Sequence, residues 1–142
     1  MTRRPFDDVM VGEVLPELRR TVVASDVMAY ADASGDHNPL HQDDAFARSV
    51  GFEGIIAHGM FTMGHMARCI VVWSGGDPEA IGRISATFRA PVQMGEVIVA
   101  GGAVRSLDPV TRTAVVEAWV TVERDGSTAS PIKRGEALVL LA

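Results

Sequence analysis

Ser34-Gly35-Asp36-His37-Asn38-Pro39-Leu40-His41 is the stretch on which the reading of this chain turns. Gly35 supplies a stop for the segment before it, and Asn38-Pro39 supplies a start for the one after. Asn is a favoured N-cap, and Pro is favoured at the first helical position. A short helix is therefore expected over residues 39–48, ending near Gly51. Asp36 then lies in the loop just before the cap, and His41 near the third helical position. A carboxylate and an imidazole can meet across such a turn. The positive end of a helix opposes an imidazolium there, which would leave His41 ready to accept a proton. Asp36 can hold or activate a water, and Asn38 can fix the turn through the backbone. Asp and Asn here are equally ordinary turn residues, and a His on a first helical turn is often only surface. The residues alone leave both readings open.

Outward from this segment the chain divides in character near Gly75. Before it, Val27, Tyr30 and Ala31 recur at helical spacing behind Ser25, an expected N-cap, and residues 58–73 are apolar on nearly every face. That long helix is expected to be surrounded by protein. After Gly75, residues 84–90, 97–104, 114–123 and 135–141 are rich in aliphatic and β-branched residues, and several alternate with polar ones. Turn material separates them, at 91–95, at Asp108-Pro109 and at Arg124-Asp125-Gly126. An early strand over 14–23 precedes the helices. Short turns imply antiparallel neighbours, so the expectation is an α+β fold, an antiparallel sheet with one long central helix. Periodicity alone does not distinguish among α+β layouts.

The bulk properties narrow the function. At 142 residues, one domain spanning 1–142 is expected. The net charge is −5 and the 13 Lys and Arg residues are spread along the chain, which sets nucleic acid aside as a partner. The lone Cys69 sits in an apolar run and reads as a small buried hydrophobe. The most apolar stretch, 55–73, carries His58, His65 and Arg68, with glycines between, so a membrane span is not expected. With no apolar stretch behind Arg3 and Arg4, a secretory signal is not expected either, and the location expected is cytoplasmic.

The segment 34–41 resembles the signature of the MaoC-like (R)-specific enoyl hydratases and dehydratases, Ser/Gly-Asp-x-Asn-Pro-x-His. A second block, Ile56-Ala57-His58-Gly59-Met60, is similar to the start of that family's central helix. Val11-Gly12-Glu13 and Phe88-Arg89-Ala90-Pro91-Val92 extend the resemblance over nearly the whole chain. It implies a hotdog fold, with the antiparallel sheet wrapped around the central helix. It implies that Asp36 and His41 form a catalytic acid–base pair, that Asn38 and His58 shape the site, and that the Gly59 N–H donates to a thioester carbonyl. The implied substrate is an acyl-CoA or an acyl-carrier protein, with no metal and no organic cofactor. Family hydratases often carry a supporting Ser eight positions past that glycine, where this chain has Ala67. The run 57–64 and the turn 106–109 are similar to the mycobacterial acyl-carrier-protein dehydratases, whose catalytic B subunit pairs with a silent partner. A homodimer or a heterodimer with another hotdog subunit is therefore expected.

Other residues carry plainer readings. His37, His41, His58 and His65 invite a metal, but no Cys or carboxylate joins them at ligand spacing in the sequence. Met28, Met60, Met63 and Met66 are either core or the lining of an acyl tunnel. Trp73 and Trp119 fit a core or a dimer interface, and Asp43 and Asp44 fit the first turn of a helix. Two other functions compete. Hotdog thioesterases place an acid on the central helix, and residues 59–73 contain none. A non-catalytic acyl-binding subunit of a heterodimeric dehydratase has no need of Asp36, Asn38 and His41 together.

Overall fold

In the computed structural model, which describes residues 2–124 and 126–142, one antiparallel sheet curls around one long helix. The strands are β1 (Leu18–Thr21), β2 (Ile81–Ser85), β3 (Val97–Asp108), β4 (Thr113–Arg124) and β5 (Ser127–Leu140), in the order β1-β3-β4-β5-β2. This is the hotdog arrangement expected above. Register slips between Val104 and Ser106 on β3, and between Ala118 and Val122 on β4, bend the long strands. Such bulges add local twist and let a sheet wrap.

The helices are α1 (Ala24–Ser34), α2 (Asp44–Ser49) and α3 (Gly59–Trp73). Helix α3 is the filling. Thr62, His65, Met66, Cys69, Ile70 and Trp73 are buried, a stripe at helical spacing facing the sheet. Small residues let it approach closely. Ala118 pairs with Gly135, and a Cβ on Gly135 would stand 2.7 Å from Met66 Sδ. Burying a side chain such as Ile70 contributes roughly 1.5–3 kcal/mol.

Several expectations need correction. Helix α3 is not covered on every side: Met60 and Val72 are more than half exposed. One sheet shields only one face of a helix, and apolar residues on the other face read in sequence like core. The helix expected over 39–48 is two pieces. Pro39–His41 is a single 3-10 turn, and α2 begins afresh at Asp44 because the Asp43 side chain caps it, accepting from the Phe46 N–H at 3.1 Å. Helix α1 starts at Ala24, with Val23 and not Ser25 at the cap. Its end is as expected: Gly35 takes φ 77°, a left-handed cap that suits glycine. The first strand is shorter than 14–23, and the strand expected over 84–90 is instead Ile81–Ser85, with residues 86–90 outside it. Asp125, in the expected turn 124–126, lies outside the described residues. No helix among them is long and apolar enough to cross a membrane.

Candidate active site

The loop between α1 and α2 is built by its own side chains. The Asp36 N–H donates to Ser34 Oγ at 3.1 Å, the Asn38 N–H to Asp36 Oδ1 at 3.2 Å, and the Leu40 N–H to Asn38 Oδ1 at 3.0 Å. These nested turns are what Asp and Asn form when their short side chains compete for backbone donors. Asn38 also caps the 3-10 turn that Pro39 opens. His41 ends that turn, 9% exposed. Because it closes one 3-10 turn, the argument from the positive end of a longer helix loses its basis. The ring is oriented instead by Ile56, whose carbonyl lies 2.6 Å from Nδ1. A carbonyl only accepts, so Nδ1 carries the hydrogen and Nε2 is left with its lone pair.

His58 precedes α3 and is almost fully buried. Its Nε2 lies 3.0 Å from the Asp36 carbonyl, so Nε2–H donates across 22 residues and ties the loop to the helix start. Its ring stacks on His41, with centroids 3.8 Å apart and planes 26° apart. The Tyr30 ring packs against the His58 ring with centroids 4.8 Å apart. His58 Nδ1 is buried without a hydrogen-bond partner.

The fold thus gathers three groups that the sequence separates. A carboxylate oxygen of Asp36 and ring nitrogens of His41 and His58 all lie within 4.8 Å of one another. A carboxylate does join these histidines in space, contrary to the spacing argument from sequence. The set is still poorly shaped for one cation. Each imidazole lone pair lies in its ring plane, and stacked rings keep those planes nearly parallel, so a single ion cannot lie in both. His65 is elsewhere, its Nε2 donating to the Leu18 carbonyl at 2.8 Å. His37 is exposed and bonds Gln42. Ser34, Asn38 and His58 hold the Asp36 loop.

Beside this cluster opens a pocket of about 390 Å³ with His41, Gly59 and Thr62 on its wall. Phe52, Phe88 and Pro131 make much of the remainder apolar. None of the described methionines lines it; Met66 is core. Gly59 begins α3, and its N–H has no acceptor among the described residues, as expected of a first helical position. A Cβ at Gly59 would press on the Phe88 ring at 3.2 Å, so a side chain there would displace the ring or the helix start. Phe88 and Arg89 belong to the block 88–92. Their place on the pocket was not readable from sequence, because a single backbone bridge to Ile132 and an N–H bond to Pro131 bring them there. A larger cleft of about 600 Å³, lined by Arg19, Glu96 and Arg124 among others, shares no residue with the cluster.

Comparison with known proteins identifies the fold and the family. The (R)-hydratase from A. caviae involved in PHA biosynthesis superposes with a TM-score of 0.82 at 29% identity, over 95% of this chain and 98% of that one. An (R)-specific enoyl-CoA hydratase of Rhodospirillum rubrum is 28% identical over 96% of this chain and 90% of its own length. A 3-hydroxybutyryl-CoA dehydratase of Methylorubrum extorquens is 31% identical over 94% of this chain and 82% of its own. The model of the MaoC-like domain matches residues 8–125, from the turn before β1 to the end of β4, and the chain belongs to that family.

Proposed function

We infer that the chain is a hydro-lyase, adding water to trans-2-enoyl thioesters and removing it from (3R)-hydroxyacyl thioesters. The observation that carries this reading is the set Asp36, His41 and His58 within 4.8 Å, beside an apolar pocket that ends on the free N–H of Gly59. The (R) configuration and the acyl-CoA substrate are taken from the named relatives, and the acyl-carrier-protein alternative from the resemblance to the acyl-carrier-protein dehydratases.

In dehydration, His41 Nε2 takes the C2 proton. Electrons move toward the thioester carbonyl, whose oxygen accepts from the Gly59 N–H at the positive end of α3. Asp36, in its acid form, gives a proton to the C3 hydroxyl; the C3–O bond breaks and water leaves. Hydration reverses each step. The two groups lie within 4.8 Å of each other without a direct hydrogen bond, close enough to share one water. Asn38 and His58 are assigned to holding the loop. No step draws on a metal or an organic cofactor.

The same reading takes residues 1–142 as one domain, acting in the cytoplasm as a homodimer or paired with another hotdog subunit. The apolar residues left exposed on α3 support a second subunit.

The test is loss of enoyl absorbance with crotonyl-CoA and a longer trans-2-enoyl-CoA, comparing the protein with Asp36→Asn and His41→Ala. Loss of the rate in both variants is expected. A rate untouched by both would show that the acid–base pair lies elsewhere.

A further inference from the structure

The pocket beside His41 does not end at its apolar wall. Arg89 and Ala90 line both that pocket and an adjoining groove, whose other residues are Ser130, Lys133 and Arg134. The groove adjoins the reaction pocket at the wall that Arg89 and Ala90 form. It is built by two strips of backbone: the Arg89 N–H donates to the Pro131 carbonyl at 2.8 Å, and Phe88 bridges to Ile132. These contacts hold Arg89 beside the outward-facing Lys133 and Arg134 of β5, all three exposed. Sequence hides the cluster, because 44 residues separate Arg89 from Lys133.

Most other Arg side chains on this surface are neutralised, Arg48 and Arg68 being the exceptions among the described residues. Arg3, Arg4, Arg105 and Arg124 each pair with a carboxylate. Among the described residues, no such pair involves Arg89, Lys133 or Arg134. Three like charges converging without a counter-ion repel one another, and they do so in a chain of net charge −5. An anion placed among them removes that cost, and two guanidinium groups with an ammonium suit phosphate, which takes forked, charge-assisted hydrogen bonds.

We propose that Arg89, Lys133 and Arg134 form a phosphate-binding groove that holds the phosphorylated end of the thiol carrier while its acyl end lies against His41 and Gly59. The ligand chemistry is a phosphate on a pantetheine arm. Coenzyme A and the prosthetic arm of a carrier protein both supply it. The proposal rests on reading the pocket as a thioester site, but its test needs no turnover.

Binding of coenzyme A, 4′-phosphopantetheine and phosphate-free pantetheine is measured by calorimetry on the intact protein, on Arg89→Gln/Lys133→Gln/Arg134→Gln, and on the charge-keeping Arg89→Lys/Arg134→Lys. The triple variant is expected to bind coenzyme A about tenfold or more weakly, the loss of one or more charge-assisted bonds. The charge-keeping variant is expected to retain most of the affinity. Pantetheine is expected to bind the intact protein and the triple variant alike. A loss that extends to 4′-phosphopantetheine identifies the phosphate common to both carriers; a loss confined to coenzyme A identifies its nucleotide phosphates. Equal affinity of the intact protein and the triple variant for coenzyme A, or an equal loss for pantetheine, would overturn the proposal. Either result leaves the hydration assay of Asp36 and His41 standing as a separate test.

Discussion

His58 lies face to face with His41, ring centroids 3.8 Å apart, while its Nε2–H holds the carbonyl of Asp36 at 3.0 Å. One side chain thus sets the position of both proposed acid–base groups. Replacing it by Phe keeps a flat ring for stacking and removes the bond to Asp36. It also removes the buried, unpartnered Nδ1, which costs stability of roughly 1–3 kcal/mol as it stands. His58→Phe is therefore expected to lower kcat about tenfold or more, with KM little changed and the Tm held or raised. A fall in Tm that tracks the lost activity would make His58 a core residue and nothing more.

Gly59 and Phe88 meet across the pocket wall, with 3.2 Å between the ring and the place a Cβ would occupy. Ala suits a helix start, so Gly59→Ala should leave the Tm nearly unchanged. Either the ring or the helix start must give, and the N–H aimed at the thioester oxygen shifts with it. A displacement of that kind is expected to lower kcat/KM roughly tenfold to a hundredfold. Adding Phe88→Ala should return part of the loss, because the two changes share one contact. Losses that simply add would show that Phe88 is not what excludes a side chain at 59.

The sheet, the central helix and the loop 34–41 were legible because each rests on local signals: strand alternation, Gly35 as a helix stop, and Asn38-Pro39 as a start. The break between Pro39–His41 and α2 was not, since Asp43 reads equally well as a first-turn acid and as a cap. The convergence of His58 on Asp36 and His41 depends on a bond across 22 residues, and no window of sequence contains it. Arg89 reaches Lys133 only through the pairing of residues 88–89 with 131–132. Of the methionines read as core or tunnel lining, Met66 is core, because the fold turned its face of α3 to the sheet.

His65 offers a test of the fold by pH. Burial lowers its pKa from the ordinary imidazole value; the hydrogen bond to the Leu18 carbonyl opposes that, and Arg20 and Arg68 add to it. The folded protein therefore keeps the neutral form where the unfolded chain has taken a proton. The stability tied to this residue is complete above about pH 6.5 and is lost as pH falls from there through the lowered value. His65→Gln keeps an N–H for Leu18 and cannot titrate. Its Tm is expected to change less than that of the intact protein between pH 7 and pH 5, and parallel curves would defeat the assignment.

Glu13 tests the anchoring of the N-terminal segment to the end of α3. Its Oε1 accepts from Trp73 Nε1 at 2.9 Å and from the Arg4 guanidinium at 2.5 Å, and Arg4 also lies over the Trp73 ring at 5.3 Å. Burial pushes the carboxyl pKa up, but the bonds from Trp73, Arg4 and the Met10 N–H together outweigh it and leave it lowered. A lowered carboxylate contributes stability above its unfolded value, about pH 4.3, and loses it as pH falls through the folded one. Glu13→Gln keeps an oxygen for Trp73 and gives up the charge facing Arg4. At pH 7 it is expected to cost about 1 kcal/mol, and the difference should narrow as pH falls from about 4.3 through the lowered folded value, because the intact carboxyl then takes up its proton. Denaturant midpoints at pH 7, 5 and 3.5 would show this narrowing. A difference that stays constant across the three would assign the loss to packing around Trp73 and not to the ion pair.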